Sequence, residues 1–186
     1  MNRRHLLSLL AITPLWRAGE TPAQATKATE RSIEALQNEW RSYLPANAKV
    51  PAPKPPLTLA DGEWKKRLSP AQYRILRKEG TERPGSSALN AEKRRGVYAC
   101  AGCDLPLFTS AMKFESGTGW PSFFTTIPGV FGTKTDNYLI YSRTEYHCAR
   151  CGGHHGHVFN DGPPPTMERW CNNGDALAFV PADSAS

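Results

Sequence analysis

The chain has 186 residues, 39% of them hydrophobic and 22% charged, with a formal net charge of +6. That is one domain's worth of chain, long enough to bury a substantial core. The positive excess is modest and spread out, densest at Trp64-Lys65-Lys66-Arg67 and Glu92-Lys93-Arg94-Arg95. Such stretches read as solvated surface rather than as a nucleic-acid patch, so no nucleic-acid partner is expected.

In chain order, residues 1–25 have the make-up of an export signal. Met1-Asn2-Arg3-Arg4 is a basic start, Leu6 to Trp16 is mostly apolar with Pro14 inside it, and Ala23-Gln24-Ala25 offers small residues for cleavage. The apolar run is too short to span a bilayer, and no later stretch approaches that length, so no stable membrane span is expected once the signal is removed. Arg3-Arg4 followed by His5-Leu6-Leu7 partly matches a twin-arginine signal, with Asn2 where serine or threonine is usual. That route carries folded protein, which suits thiols that must hold a metal rather than pair as disulfides in an oxidising compartment. The expected location is the bacterial periplasm. Removal of the segment takes away three arginines and one glutamate and lowers the charge to +4.

Residues 26–60 read as a helix and a proline-rich linker. Ile33, Leu36 and Trp40 among charged residues predict an amphipathic helix over Ala28 to Tyr43. Five prolines between Pro45 and Pro56 then predict an extended linker or a strap over the domain. The main domain is expected over 61–181, with 182–186 as a tail. It starts with a helix signalled by capping Ser69, Pro70 at the first helical position, then Tyr73, Ile75 and Leu76, ended by Gly80. After Gly96, short apolar runs at Val97–Ala99, Asn137–Ser142, Val158–Phe159 and Ala176–Val180 predict strands separated by turns. The fold class expected is mainly β, with short N-terminal helices and antiparallel pairing, because no long helices are available as parallel crossovers.

The five cysteines form two CxxC pairs, Cys100 with Cys103 and Cys148 with Cys151, and one singleton, Cys171. Four thiolates at that spacing fill a tetrahedral, coordinatively closed and therefore structural Zn2+ site. The 44 residues between the pairs exceed a compact zinc ribbon, so the two knuckles are expected to clip distant strands together. Two disulfides are the alternative for an exported chain. Either way Cys171 is left to do chemistry. Arg169, two residues earlier, would emerge on the same strand face and could hold the sulfur as thiolate. His154, His155 and His157 could hold a second ion, or donate protons near the thiol, with His155 pointing elsewhere in an extended segment. Trp120, behind two glycines and before Pro121, is expected to present its ring from a shaped loop.

Gly96-Val97-Tyr98 leading into Cys100 and Cys103, then Leu107-Phe108, Lys113-Phe114, Gly119-Trp120-Pro121-Ser122-Phe123, the second CxxC, Gly153-His154, Gly156-His157-Val158-Phe159, Asn160-Asp161-Gly162-Pro163 and Arg169-Trp170-Cys171-Asn172-Asn173 together resemble a B-type methionine-R-sulfoxide reductase. The likeness runs from about Trp64 to Pro181. It implies two antiparallel sheets, zinc at Cys100, Cys103, Cys148 and Cys151, and Cys171 as nucleophile. It also implies that Trp120, with Phe159, receives the sulfoxide methyl group, that His154, His157 and Asn173 handle the oxygen and its water, and that Arg169 attends the nucleophile. The substrate would be oxidised methionine in proteins or peptides, and the product methionine plus a Cys171 sulfenic acid. Thr118 stands where many members carry a resolving cysteine, so recycling would need an external thiol, such as a thioredoxin-like donor. Gly174, where a serine is usual, and Pro84-Gly85, where Pro-Phe is common, bear on shape. A monomer is expected. The competing readings are a zinc-ribbon-like binding module and a periplasmic thiol or metal binder without turnover.

Overall fold

The computed structural model describes residues 32–137 and 142–183; the export signal expected at 1–25 and most of the tail expected at 182–186 lie outside them. Helix α1 covers residues 32–38 and runs into a 3-10 turn, Glu39–Tyr43, within the segment expected to be helical. The prolines that follow hold the chain extended, as a strap. Leu57 N donates to Arg150 O at 2.7 Å, and Arg150 Nη1 to Ala52 O at 3.0 Å.

Helix α2, Asp61–Arg67, sits in the stretch read as solvated surface. Its lysines and Arg67 are exposed, but Trp64 is buried, with the Arg77 guanidinium over its ring at 4.7 Å. Helix α3, Pro70–Lys78, begins as expected, with Ser69 and Gln72 capping each other. It ends at Lys78, two residues before the expected Gly80: Glu79 takes the left-handed conformation at φ 54°, and the Gly80 amide closes the turn on Arg74 O.

Among the described residues nine strands follow: β1 Gly96–Cys100, β2 Pro106–Thr109, β3 Lys113–Phe114, β4 Ser122–Phe123, β5 Phe131–Asp136, β6 Arg143–Cys148, β7 His154–Phe159, β8 Arg169–Asn172 and β9 Leu177–Pro181. They build two antiparallel sheets, ordered β2-β1-β9 and β3-β4-β8-β7-β6-β5. The mainly β, two-sheet class expected from the sequence is the one observed. Of the strand expected at Asn137–Ser142, residues 138–141 lie outside the described residues, and Asn137 and Ser142 belong to no strand. Strands β5 and β6 flank that point instead. Their alternation is hard to read because one face carries Lys134, Asp136, Arg143, Glu145 and His147 rather than a simple solvent face.

Aromatic rings stack through the centre of a core otherwise built of aliphatic side chains and cysteines. Phe108 stacks on Phe123 at 3.9 Å, Tyr98 meets Phe123 edge-on at 5.0 Å, and Tyr146 meets Trp170 edge-on at 4.9 Å. Full burial of a side chain such as Phe108 stabilises the fold by about 2 kcal/mol. This packing occupies one face of the six-stranded sheet and leaves the other to polar groups.

Candidate active site

Strand register explains which side chains share the polar face. Ser122, Cys171, His157, Glu145 and Lys134 are successive cross-strand partners on β4, β8, β7, β6 and β5, so they form one row. A bulge in β7 opposes His147 with His154 while Tyr146 still opposes Gly156, leaving His155 as the extra residue. Without it, His154 and His157 would point to opposite faces. With it, their rings lie 5.6 Å apart, centroid to centroid. His155 does turn elsewhere, but through the bulge rather than the extended conformation expected, which alone would put it on the His157 face: it is fully buried, against Phe131 and Tyr146.

Cys171 is a free, half-buried thiol in a cavity of 130 Å³ lined by Thr81, Trp120, Arg143, Gly156, His157, Phe159, Asn172 and Asn173. Burial pushes its pKa above the ordinary thiol value, while the neighbouring Arg169 guanidinium and Thr118 hydroxyl pull it down. Arg169 is buried, gripped by Asp161 through Nε at 2.7 Å and Nη2 at 2.9 Å, and lies over the Phe159 ring at 4.3 Å. That bidentate grip fixes where the positive charge stands relative to the sulfur.

His157 Nε2 lies 2.9 Å from Asp136 Oδ2, which also accepts from Arg143 Nη2 at 2.7 Å. An acceptor there places the ring proton on Nε2 and leaves Nδ1 as the second nitrogen. Burial lowers the His157 pKa against the pull of Asp136, so the ring is neutral at pH 7. Trp120 is half-buried and presents its ring to the cavity, its Nε1 donating to Glu82 O at 3.3 Å. Asn173 lines the cavity too, but its amide is engaged: Oδ1 accepts from Glu82 N and Nδ2 donates to His155 O, both at 2.9 Å. One amide proton of Asn173 remains. His154 does not line the cavity. It is 3% exposed, behind His157, with Nδ1 3.0 Å from Glu145 Oε1. That contact is one of proximity, and neither ring nitrogen has a hydrogen-bond partner among the described residues.

The four remaining cysteines form a separate buried cluster in which all four Sγ atoms lie within 4.8 Å of one another. Cys100 and Cys151 are 3.6 Å apart and Cys103 and Cys148 3.5 Å. Those separations are close to the edge of about 3.8 Å expected for a tetrahedron with zinc–sulfur bonds of about 2.3 Å, and far from a disulfide bond of about 2 Å. The cluster therefore fits a metal ion, with His155 Nε2 at 3.4 Å from Cys100 Sγ. Cys100 ends β1 in the small sheet and Cys148 ends β6 in the large one, so the clip joins the two sheets. Among the described residues no other cluster of metal-ligating side chains occurs, the three histidines included.

Site residues not singled out from the sequence are Thr81, Glu82, Asp136 and Arg143, while Asn172 stood within a quoted motif with no role given to it. Asp161 stood within a recognised motif with no role given to it. An acid eight residues before Arg169 was a usable signal for that ion pair. Glu82, in an aperiodic loop, offered none.

The SelR domain family matches residues 68–181. Relatives named peptide methionine sulfoxide reductase MsrB include those of Agrobacterium fabrum, 48% identical over 128 residues covering 68% of this chain and 95% of that one. Those of Methanosarcina barkeri and Pseudomonas putida are each 51% identical, over 64% and 66% of this chain and 85% and 93% of theirs. The match takes in every cavity residue, Cys171 and the four-cysteine cluster, and so the chain belongs to the SelR-domain family of MsrB peptide methionine sulfoxide reductases.

Proposed function

We infer that the chain reduces methionine-R-sulfoxide in proteins or peptides to methionine, with Cys171 as the nucleophile. The observation that carries this reading is the position of the one thiol outside the cluster, half-buried in a small cavity between Trp120 and His157. Trp120 and Phe159 supply an apolar side for the methyl group; His157 and the remaining amide proton of Asn173 supply a polar side for the oxygen. Cys171 gives up its proton and attacks the sulfoxide sulfur. The sulfur–sulfur bond made in that attack and the methionine sulfur–oxygen bond then both break as the oxygen passes to the Cys171 sulfur, so methionine leaves as the thioether and Cys171 is left as a sulfenic acid. The proton lost by the thiol is balanced by the one gained by that oxygen, and Nδ1 of neutral His157 can carry it. Arg169, held by Asp161, favours the thiolate. His154 supports His157 from behind.

The cysteine cluster, holding zinc, is structural, since four sulfurs leave no open position. Reduction of the sulfenic acid falls to an external thiol of the thioredoxin-like kind. The basic, apolar and small-residue order of residues 1–25 supports export to the periplasm. An assay with the separated R and S epimers tests the reading. Wild type should reduce only the R epimer, and Cys171→Ser should lose turnover while keeping its metal. Retained turnover in that variant would remove Cys171 from its role, and a wild type inactive on both epimers would leave only a metal-binding module. N-terminal sequencing of exported protein tests cleavage after Ala25.

A further inference from the structure

Three walls of the Cys171 cavity come from separate parts of the chain: Thr81 follows α3, Trp120 precedes β4, and Asn173 follows β8. A single residue, Glu82, bonds to all the neighbouring segments. Its amide donates to Asn173 Oδ1 at 2.9 Å, and its carbonyl accepts from Trp120 Nε1 at 3.3 Å. Its carboxylate accepts Gly174 N–H on Oε1 and Asp175 N–H on Oε2, each at 2.8 Å. The same loop reaches the segment ahead of Trp120, where Gly85 N donates to Gly119 O at 2.7 Å.

Glu82 is 4% exposed and makes no ion pair among the described residues. A carboxylate buried without a cation is costly unless its oxygens are satisfied, and here each oxygen has a backbone donor. The arrangement demands two acceptors, which an ionised acid supplies and an amide does not. A residue serving only to cap the turn at Gly174 would need the carboxylate bonds alone. The backbone of Glu82 also holds the two side chains on which the methyl and oxygen sides of the cavity depend.

We propose that Glu82 is a positioning residue of the sulfoxide site: its carboxylate, fastened to the Gly174–Asp175 turn, fixes the backbone at residue 82, and that backbone sets the Trp120 indole and the Asn173 amide. The proposal rests on the cavity beside Cys171 being the site of reduction. Glu82 does not touch Cys171, so its removal should disturb substrate placement and leave the reactivity of the thiol intact.

The test compares wild type, Glu82→Gln, Glu82→Ala, Trp120→Ala and the double variant of the last two. It follows kcat and KM on a methionine-R-sulfoxide peptide, iodoacetamide labelling of Cys171, and the indole N–H resonance of Trp120. Glu82→Ala should lower kcat/KM on the order of 100-fold, chiefly through KM, as expected when a positioned group slips by about 1 Å. Glu82→Gln should fall between, because its amide nitrogen faces an N–H donor. Labelling should stay within about twofold of wild type, and the Trp120 resonance should move in both Glu82 variants. Added to Trp120→Ala, the loss of Glu82 should cost less than its own full factor, since the two act through one wall. A wild-type KM and an unmoved Trp120 resonance in Glu82→Gln would overturn the proposal, as would losses that multiply in the double variant. If wild type fails to reduce the peptide, the functional reading falls; the Trp120 resonance then still decides whether Glu82 sets the indole.

Discussion

Burial works against Cys171 as a nucleophile, since it favours the neutral thiol. Arg169 and Thr118 work the other way, and of the two Arg169 is the larger influence. Attack requires the thiolate, so the rate of sulfoxide reduction should rise with pH until the thiol has ionised. Arg169→Ala should move the pH midpoint of iodoacetamide labelling of Cys171 upward, because the favourable charge goes while burial remains. An unmoved midpoint would show that the guanidinium serves Phe159 and Asp161 only. Thr118→Val should move the midpoint in the same direction by less. The importance of Cys171 could be read by counting cysteines, and Arg169 by strand alternation. The approach of Thr118 could not be read that way, because it comes from a loop more than fifty residues earlier in sequence and depends on β4 pairing with β8.

At the scale of elements, the loop after α3 sets what two later positions can carry. The loop after α3 packs against two glycines. Gly119, at φ 91°, would place a Cβ 2.7 Å from Pro84 Cβ, and Gly174 would place one 2.3 Å from Ser87 Cβ. A side chain at 174 would therefore collide with Ser87. Gly174→Ser should destabilise the protein by about 1–3 kcal/mol in urea unfolding, as overpacking does. Ser87→Gly in the same chain should recover much of that loss; no recovery would mean that the turn itself, rather than Ser87, excludes a side chain. Neither partner of this contact could be paired from sequence, since nothing local links residues 87 and 174. Helix α3 was legible for the opposite reason: its capping serine, proline and apolar spacing are all local. The β7 bulge belongs with the first kind, because the placement of His154 beside His157 depends on how β6 pairs.

Across the whole molecule the cysteines divide the labour. Four of them tie the β1 and β6 ends together, so losing one ligand loosens one sheet from the other. Cys148→Ser should cost at least about 4 kcal/mol, a fall on the order of 10 °C in Tm for a chain of this size, with metal content lost in parallel. An unchanged Tm would refute the structural role. With the four cluster sulfurs holding a metal, as proposed, Cys171 is the one cysteine left, and a hydroxyl, Thr118, rather than a thiol stands beside its sulfur. One turnover without reductant should therefore leave a sulfenic acid on Cys171, open to a sulfenic-acid probe, with metal retained. Thr118→Cys should divert that product to a disulfide between residues 118 and 171, since the side chain at 118 already reaches the sulfur. Mass mapping decides between the outcomes. A disulfide from Cys171 to any cluster cysteine in the unmutated protein, with metal released, would show that the clip itself supplies the resolving thiol.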